Sequence, residues 1–171
     1  MYFSGFCLKN DVELFEEFIE INDFTISGFS YGAINAFRYA LKQVENNKRV
    51  QKLQLFSPAF FHDKSKKYKR LQLMFFKKNE QEYKNNFISN IAKPSNIDLN
   101  KYLASGTYEQ LDILLNYEWC KEDFEILLNA GVKIEVFLGS DDKIINSTNA
   151  LEFFRQYSEV YFIKDVGHIL S

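Results

Sequence analysis

Short runs of apolar, β-branched and aromatic residues alternate along the chain with longer segments of helical periodicity. The strand-like runs are bounded by turn-forming residues and occupy 2–4, 24–27, 49–57, 132–139 and 159–164. Apolar residues recur at the spacing of an amphipathic helix over 12–19, behind Asn10 as its predicted cap, and again over 33–41 and 150–157. This order predicts a parallel α/β sheet with right-handed crossovers.

Polar residues occupy alternate positions of three predicted strands, and alternate residues of a strand share one face of the sheet. The pairs are Thr25 and Ser27, Lys52 and Gln54, and Lys133 and Glu135. If successive strands are neighbours joined by right-handed crossovers, all the helices lie on the opposite side. We therefore expect one poorly covered face, and the sequence leaves open whether a second subunit of a homodimer covers it.

Residues 58–117 interrupt the alternation with a long segment of mostly helical pattern. Its first part, 61–84, holds eight Lys or Arg and three Asp or Glu, a net charge of +5, whereas the whole chain has −2. The predicted organisation is thus one α/β core formed by 1–57 and 118–171, with 58–117 inserted as a basic helical lid.

Composition restricts the class of protein. A length of 171 residues with 46% hydrophobic residues suits one folded domain, and a net charge of −2 gives no reason to expect nucleic-acid binding. No apolar stretch approaches the roughly 20 residues that cross a bilayer, and the N-terminus does not resemble a signal peptide. Cys7 and Cys120 have no metal-like spacing and are expected to be free thiols in a reducing compartment. We therefore expect a cytoplasmic protein that binds neither membrane nor nucleic acid.

The sequence GFSYG, residues 28–32, lies between a predicted strand and a predicted helix. A serine flanked by glycines two positions away suits a nucleophile elbow, in which a tight turn holds the Ser30 hydroxyl above the sheet. A chance glycine turn is the alternative for this motif taken alone.

A base and an orienting acid are required after the serine in chain order, and both are present. GSDDKI places Asp141 and Asp142 beyond the end of a predicted strand, and DVGH places His168 in the loop after the last strand. His62, the other histidine, precedes both aspartates and lies in the insertion. His168 is therefore the predicted general base, and the choice between the two aspartates stays open on physical grounds.

Two backbone amides are candidates for an oxyanion hole. The Tyr31 amide opens the helix after the predicted nucleophile, where the helix dipole favours negative charge. Ser4 and Gly5 end the first predicted strand, so the Phe6 amide is the second candidate.

With these motifs together, the chain resembles the α/β-hydrolase superfamily. GFSYG, GSDDKI and DVGH match its nucleophile, acid and histidine signatures, and the family spacing in the acid motif selects Asp142. The resemblance implies a catalytic triad of Ser30, Asp142 and His168 on a truncated α/β-hydrolase fold, with about five mostly parallel strands, and implies no metal or organic cofactor. The chain departs from the family in having Ser4-Gly5 where His-Gly is usual, and in lacking one strand before the elbow.

Within the superfamily the chain is similar to the short pimeloyl-[acyl-carrier protein] methyl ester esterases of biotin biosynthesis. That resemblance implies hydrolysis of the methyl ester to release methanol, with the acidic acyl-carrier protein as partner. The basic insertion suits such a partner, and the residues it would dock on are Lys66, Lys67, Lys69, Arg70, Lys77 and Lys78.

Two other functions remain open at the level of sequence. In the first, the chain is a general short-chain esterase or thioesterase and the basic segment is only a solvated helix face. In the second, a non-catalytic hydrolase-like module uses its basic insertion to bind an acidic protein. Three catalytic residue types in the required order favour an enzyme over that second function.

Overall fold

The computed structural model describes residues 1–171, which form one parallel sheet with six α-helices. The strands are β1 (Tyr2–Phe3), β2 (Thr25–Phe29), β3 (Lys52–Phe56), β4 (Lys133–Gly139) and β5 (Glu159–Ile163). The helices are α1 (Tyr31–Glu45), α2 (Lys66–Lys78), α3 (Glu80–Ala92), α4 (Tyr108–Asn116), α5 (Lys121–Asn129) and α6 (Ser147–Phe154). None of them is both long enough and apolar enough to cross a membrane.

The strands pair in sequence order, β1-β2-β3-β4-β5, and every pair is parallel. The prediction of about five parallel strands is therefore confirmed. Parallel register brings the carboxyl ends of all strands to one edge of the sheet, where ligand sites of open α/β sheets form. Ser30, Asp142 and His168 follow β2, β4 and β5, so the topology alone brings them to that edge.

Helices α1 and α6 cover one face of the sheet. The inward side of α1 consists of apolar residues at helical spacing, which are fully buried: Ala33, Ile34, Ala36, Phe37 and Ala40. Around Trp119, aromatic rings from three helices meet, with Phe37 of α1 at 5.1 Å and Phe154 of α6 at 5.1 Å between ring centroids. The indole N–H of Trp119 donates to Ala59 O at 2.9 Å, so the bulky core residue leaves no polar atom unpaired.

The opposite face is covered over the central strands, but Lys133, Glu159 and Tyr161 stay exposed on the side of β5, so the expected poor cover is found only there. Residues 11–20 cross it, and the polar side chains of the central strands are buried beneath them or beside one another: Thr25, Ser27, Gln54 and Glu135. Gln54 accepts from Glu20 N–H at 2.7 Å and donates to Phe18 O at 3.1 Å and to Glu135 Oε2 at 2.9 Å. Gln54 and Glu135 are therefore buried with hydrogen-bond partners, as buried polar groups usually are, whereas Thr25 Oγ1 has no partner.

That crossing segment is a five-residue 3₁₀-helix, Asp11–Phe15, where an amphipathic α-helix over 12–19 was predicted. Asn10 makes no capping bond with its side chain. The apolar residues responsible for the helical pattern instead hold an irregular segment on the sheet: Phe15 stacks on Phe56 with ring centroids 4.7 Å apart, and Phe18 packs on Phe137 at 5.5 Å. The pattern correctly identified buried positions but not the backbone that presents them.

The two connections that flank β2 cross opposite faces of the sheet. A Cβ on Gly28 would lie against the start of α1, whereas the neighbouring Phe29 points to the other face and contacts Phe15 at 4.9 Å between ring centroids. Both connections advance by one strand in the same direction, so they have opposite hands, and the expectation of right-handed crossovers throughout is wrong. The first connection contains no α-helix, whose packing on a twisted sheet is the cause of the right-handed rule.

Residues 58–117 contain α2, α3 and α4 together with a second 3₁₀-helix, Asn100–Tyr102. Helix α2 packs against α3 and α4, and α4 reaches α1. The predicted insertion is therefore mostly helical and follows the carboxyl end of β3. It contacts the core through α4, through Phe6, and through a bridge between Leu8 and Leu103.

Candidate active site

Ser30 occupies a turn between β2 and α1 whose backbone is unusual for a residue with a side chain. Its φ of 54° and ψ of −112° lie outside the regions that L-residues normally adopt. Ser30 N–H donates to Phe56 O at 2.9 Å, and Ser30 O accepts from Ala33 N–H at 3.1 Å. Such strain persists only where neighbouring contacts impose it, and it is a property of nucleophile elbows.

The two glycines of GFSYG are required by close backbone contacts. A Cβ on Gly28 would lie 2.2 Å from Gly32 O, and a Cβ on Gly32 would lie 2.0 Å from Phe3 O. Both distances are far below van der Waals contact with backbone atoms that have no freedom to move aside. The motif is therefore a tight strand-to-helix turn packed against β1, and the chance glycine turn does not describe it.

His168 connects the serine and an aspartate through its two ring nitrogens. Nε2 lies 3.0 Å from Ser30 Oγ, and Nδ1 lies 2.6 Å from Asp142 Oδ2. A carboxylate can only accept a hydrogen bond, so Nδ1 carries the proton and donates to Asp142. Nε2 is then the acceptor for the Ser30 hydroxyl, which is the arrangement that a general base requires.

The geometry separates the two aspartates that the residues alone left open. Asp142 uses both oxygens: Oδ2 faces His168, while Oδ1 accepts from Ile144 N–H at 2.7 Å and Ile145 N–H at 3.1 Å. Its side chain is fully buried. Asp141 is exposed and accepts only from the hydroxyl of its neighbour Ser140, at 3.0 Å. Asp142 is thus held by backbone amides in the orientation that meets His168.

The loop that carries His168 is pressed against the loop that carries the acid. A Cβ on Gly139, the last residue of β4, would lie 2.3 Å from Gly167 O. On the sheet side, the His168 ring packs on Phe29 with centroids 5.0 Å apart. These contacts fix the imidazole from two directions, so its position depends on the sheet and not on a mobile terminus.

The two predicted oxyanion amides belong to adjacent segments. Tyr31 is the first residue of α1, where amides have no acceptor within the helix. Phe6 follows the end of β1, and its N–H makes no hydrogen bond within the protein. The contact of Gly32 with Phe3 O and Ser4 O holds the start of α1 against this loop. Two free donors therefore lie on neighbouring segments, although their role in binding an oxyanion stays a prediction.

Ser30 and His168 are buried, with 1% and 0% of their surface exposed. A cavity of about 460 Å³ lies next to the acid loop and is bounded by α2, α3 and α4. Its apolar walls include Phe61, Phe75, Phe87, Leu114, Leu115 and Ile144, and two cations, Lys78 and Lys143, also line it. Ile144 is the residue whose amide binds Asp142, so the cavity wall and the acid belong to one short loop.

Five of the six basic residues predicted to dock a carrier protein are exposed, namely Lys66, Lys67, Arg70, Lys77 and Lys78. Lys69 contradicts the prediction. It is only 7% exposed, and its Nζ lies 3.9 Å from Glu118 Oε1. Positions 66 and 70 are exposed and 69 and 73 are buried because a helix presents one stripe to its neighbours. Lys69 is therefore part of the packing of α2 and not of its outer surface.

His62 takes no part in the hydrogen bonds between Ser30, His168 and Asp142, and its contacts are those of a residue that supports the fold. Its Nε2 accepts from Trp119 N–H at 3.0 Å, and its ring packs on Phe60 with centroids 4.5 Å apart. Burial lowers the pKa of His62, although the nearby Glu118 carboxylate opposes this. The sequence-based preference for His168 over His62 agrees with this placement.

One buried carboxyl group beside the site was missed at the level of sequence. Asp11 is fully buried, and its Oδ2 accepts from Gly5 N–H at 2.8 Å, one residue before the Phe6 amide. The only signal was an acidic residue in the first turn of an otherwise apolar segment, which is also what an ordinary helix start looks like.

No group of three or more His, Cys, Asp or Glu side chains is arranged to hold a metal ion.

Comparison by sequence finds no match: no protein-family model and no curated protein matches the chain. Comparison by structure finds similar folds. BioG from Haemophilus influenzae has a TM-score of 0.60 at 12% identity, over 98% of this chain and 87% of that one. A carboxylesterase from Nitrososphaera gargenis has a TM-score of 0.57 at 16% identity, over 84% and 57% of the two chains. CesB, a carboxylesterase from Bacillus subtilis, gives 0.52 at 18% identity, over 86% and 54%.

The chain spans little more than half the length of the two carboxylesterases, but most of BioG. The structural likeness concerns the fold, because all the identities are low. Together with the order of the strands and the positions of Ser30, Asp142 and His168 at their carboxyl ends, it confirms the predicted fold class. The chain has the α/β-hydrolase fold in a truncated, five-stranded form.

Proposed function

We propose that the chain is a serine carboxylesterase that hydrolyses the methyl ester of pimeloyl-[acyl-carrier protein] in the cytoplasm, as a step in the synthesis of the biotin precursor. The observation that carries the chemistry is the hydrogen-bonded chain of Ser30, His168 and Asp142. The substrate is supported by the sequence resemblance to the short esterases of that pathway, and by the overlap with BioG over nearly the whole chain.

The reaction begins with attack of Ser30 Oγ on the ester carbonyl carbon, while His168 Nε2 takes the hydroxyl proton. The carbonyl oxygen becomes an oxyanion and is bound by the Phe6 and Tyr31 amides. Asp142 holds the imidazole in the tautomer that accepts the proton and stabilises the imidazolium. When the tetrahedral intermediate collapses, the C–O bond to the methoxy group breaks and His168 donates its proton to the departing methanol.

The second half of the reaction regenerates the serine. Water gives a proton to His168 Nε2 and attacks the acyl-enzyme carbonyl, and the same two amides bind the new oxyanion. Collapse breaks the bond to Ser30 Oγ, which recovers its proton from His168, and the product leaves as a carboxylic acid that ionises in water. Each proton transfer to or from Ser30, methanol and the attacking water passes through His168 Nε2.

The surface of α2 is suited to an acidic carrier protein. Its exposed side carries five cations together with apolar side chains, of which Met74 is 62% exposed and Phe75 is 54% exposed. Phe75 also lines the 460 Å³ cavity. A carrier bound at this surface would deliver its acyl arm into a cavity whose wall adjoins the acid loop, while cations steer the encounter.

The test is steady-state kinetics on the pimeloyl-carrier methyl ester and on a short nitrophenyl ester, at low and at moderate salt. We expect kcat/KM for the carrier substrate to fall as salt rises, and the value for the neutral ester to stay constant. Replacing Lys66 and Lys67 by Glu should slow only the carrier substrate. The matched control replaces by Glu two exposed lysines away from α2: Lys42, in the last turn of α1, and Lys48, three residues beyond the end of α1.

Hydrolysis of the nitrophenyl ester alone would reduce the chain to a general short-chain esterase, with α2 as an ordinary lid. Failure of Ser30 to react with a fluorophosphonate probe in the folded protein would instead favour a non-catalytic module.

A further inference from the structure

The loop that carries the Phe6 amide is anchored at Gly5 from both sides of its Cα. Gly5 N–H donates to Asp11 Oδ2 at 2.8 Å. Gly5 O accepts from Leu8 N–H at 3.1 Å. Glycine has more freedom in φ and ψ than any other residue, so without these bonds the two peptide planes at Gly5 would rotate widely. Together the two bonds fix both planes.

The direction of the Phe6 N–H follows from that anchoring. Gly5 C=O and Phe6 N–H belong to one planar peptide group and point in opposite directions. The Phe6 N–H is left without any acceptor in the protein. Rotation about Gly5 would therefore turn a free donor away from the position that an oxyanion occupies.

The environment of Asp11 is not one that stability alone explains. The residue is fully buried, takes part in no salt bridge, and leaves Oδ1 without a hydrogen-bond partner. Burial raises the pKa of Asp11; the Gly5 amide opposes that rise most, and the Ser4 and Tyr2 hydroxyls also oppose it. A buried carboxyl with an unpaired oxygen carries a desolvation cost that an apolar side chain would not. Its closest hydrogen bond is the one to Gly5 in the oxyanion loop.

We propose that Asp11 is a positioning residue that acts through Gly5 to aim the Phe6 N–H at the oxyanion. The inference rests on the proposed function, because it presupposes acyl transfer at Ser30. Asp11 touches no substrate, since it lies beneath the loop on the face of the sheet opposite α1.

Two variants with the same number and branching of side-chain heavy atoms test the proposal. Asp11→Asn keeps an oxygen that accepts from Gly5 N–H, and the larger Asp11→Leu removes the acceptor. The readouts are kcat and KM on a short nitrophenyl ester, the inhibition constant of a trifluoromethyl ketone that forms an oxyanion on Ser30, and the thermal unfolding midpoint.

For Asp11→Leu we expect kcat to fall about 10- to 100-fold with KM within about twofold, because only the transition state uses the donor. The ketone should bind more weakly by a similar factor. Asp11→Asn should stay within about threefold of the wild type in both readouts. A loss of kcat without a matching loss of thermal stability distinguishes positioning from a structural role.

Two results would overturn the inference while leaving the proposed function intact: wild-type kcat and ketone affinity in Asp11→Leu, or an Asp11→Asn variant as slow as Asp11→Leu. A wild-type chain that hydrolyses no ester and does not bind the ketone overturns the proposed function itself, and the inference with it. If Asp11→Leu does not fold, Asp11→Ala replaces it under the same criteria.

Discussion

His168 Nε2 lies 3.0 Å from Ser30 Oγ, although the two residues are 138 positions apart in the chain. The contact is made by the sheet: β2 and β5 end at the same edge, and the loops beyond them meet above it. A pair of side chains assembled in this way depends on the register of every strand between its members.

Replacing Ser30 by Ala should abolish both ester hydrolysis and labelling by a fluorophosphonate probe, because no other nucleophile contacts His168. We expect kcat to fall by about 10⁴ or more, with residual activity from the oxyanion site alone. Binding of acyl-carrier protein, measured by titration calorimetry, should be unchanged, since the cations proposed to bind the carrier lie on α2. Equal losses of binding and of folding would contradict this assignment.

The two adjacent aspartates should differ sharply when each is replaced by Asn. In Asp142→Asn the Ile144 and Ile145 amides hold the amide oxygen, so the NH2 group faces His168 Nδ1 and favours the tautomer protonated at Nε2, which cannot accept the Ser30 proton. We expect kcat to fall by about 10² to 10⁴. Asp141→Asn is the matched control and should stay near wild type, because that side chain is exposed and contacts only Ser140. Similar kcat values for the two variants would exclude Asp142 as the acid.

Gly32→Ala should unfold the protein or come close to it. The new Cβ would lie 2.0 Å from Phe3 O, and relief requires that α1 move away from β1. We expect a loss of more than about 3 kcal/mol in the free energy of unfolding, measured by urea denaturation. Gly131→Ala is the control: its φ is 79° with nothing within 4 Å of the new Cβ, so only backbone strain of about 1–2 kcal/mol is expected there.

Acidification should destabilise the protein partly through His62. Burial lowers the pKa of His62 in the folded state below its unfolded value, so the unfolded chain binds the proton more readily. The stability contributed by neutral His62 is present above the unfolded pKa of about 6.5 and is lost as pH falls from there through the folded pKa.

Protonation of Nε2 would also remove the acceptor of Trp119 N–H. The measurement is the thermal midpoint of wild type and His62→Gln between pH 7 and pH 5, in which the variant should lose less. Parallel curves would show that His62 does not titrate over this range.

The positions of the candidate site residues were predictable from the sequence where they lie in motifs with tightly packed glycines. GFSYG, GSDDKI and DVGH each combine a chemical group with glycines that the local packing demands, and Gly28, Gly32, Gly139 and Gly167 all prove to lie against backbone atoms. The parallel sheet of about five strands followed from the alternation of elements. In these places the motif and the tertiary packing both require glycine, so the motif alone indicates the local geometry.

Features decided by long-range packing were not predictable. The apolar spacing over 12–19 is helical, yet Phe15 and Phe18 are placed by the aromatic rings of strands distant in sequence. The charge of Lys69 suggested a surface, whereas its position on α2 faces the rest of the protein. Gln54 and Glu135 read as solvent-facing until the loop that hydrogen-bonds them is known. Each of these depends on a partner that periodicity does not specify.

The ring of Phe6 is held by the insertion, with Phe87 of α3 at 5.4 Å and Phe76 of α2 at 6.2 Å between centroids. Its amide, one Cα away, is the proposed donor to the oxyanion. Ser30 is 1% exposed, so a substrate enters only when the groups that cover it move, and any movement of α2 or α3 in that step displaces the same phenyl group. Substrate entry and the placement of the Phe6 amide are therefore linked. An ester that leaves the helices displaced after binding should react slowly even at saturation. Differences among esters should then appear in kcat as much as in KM.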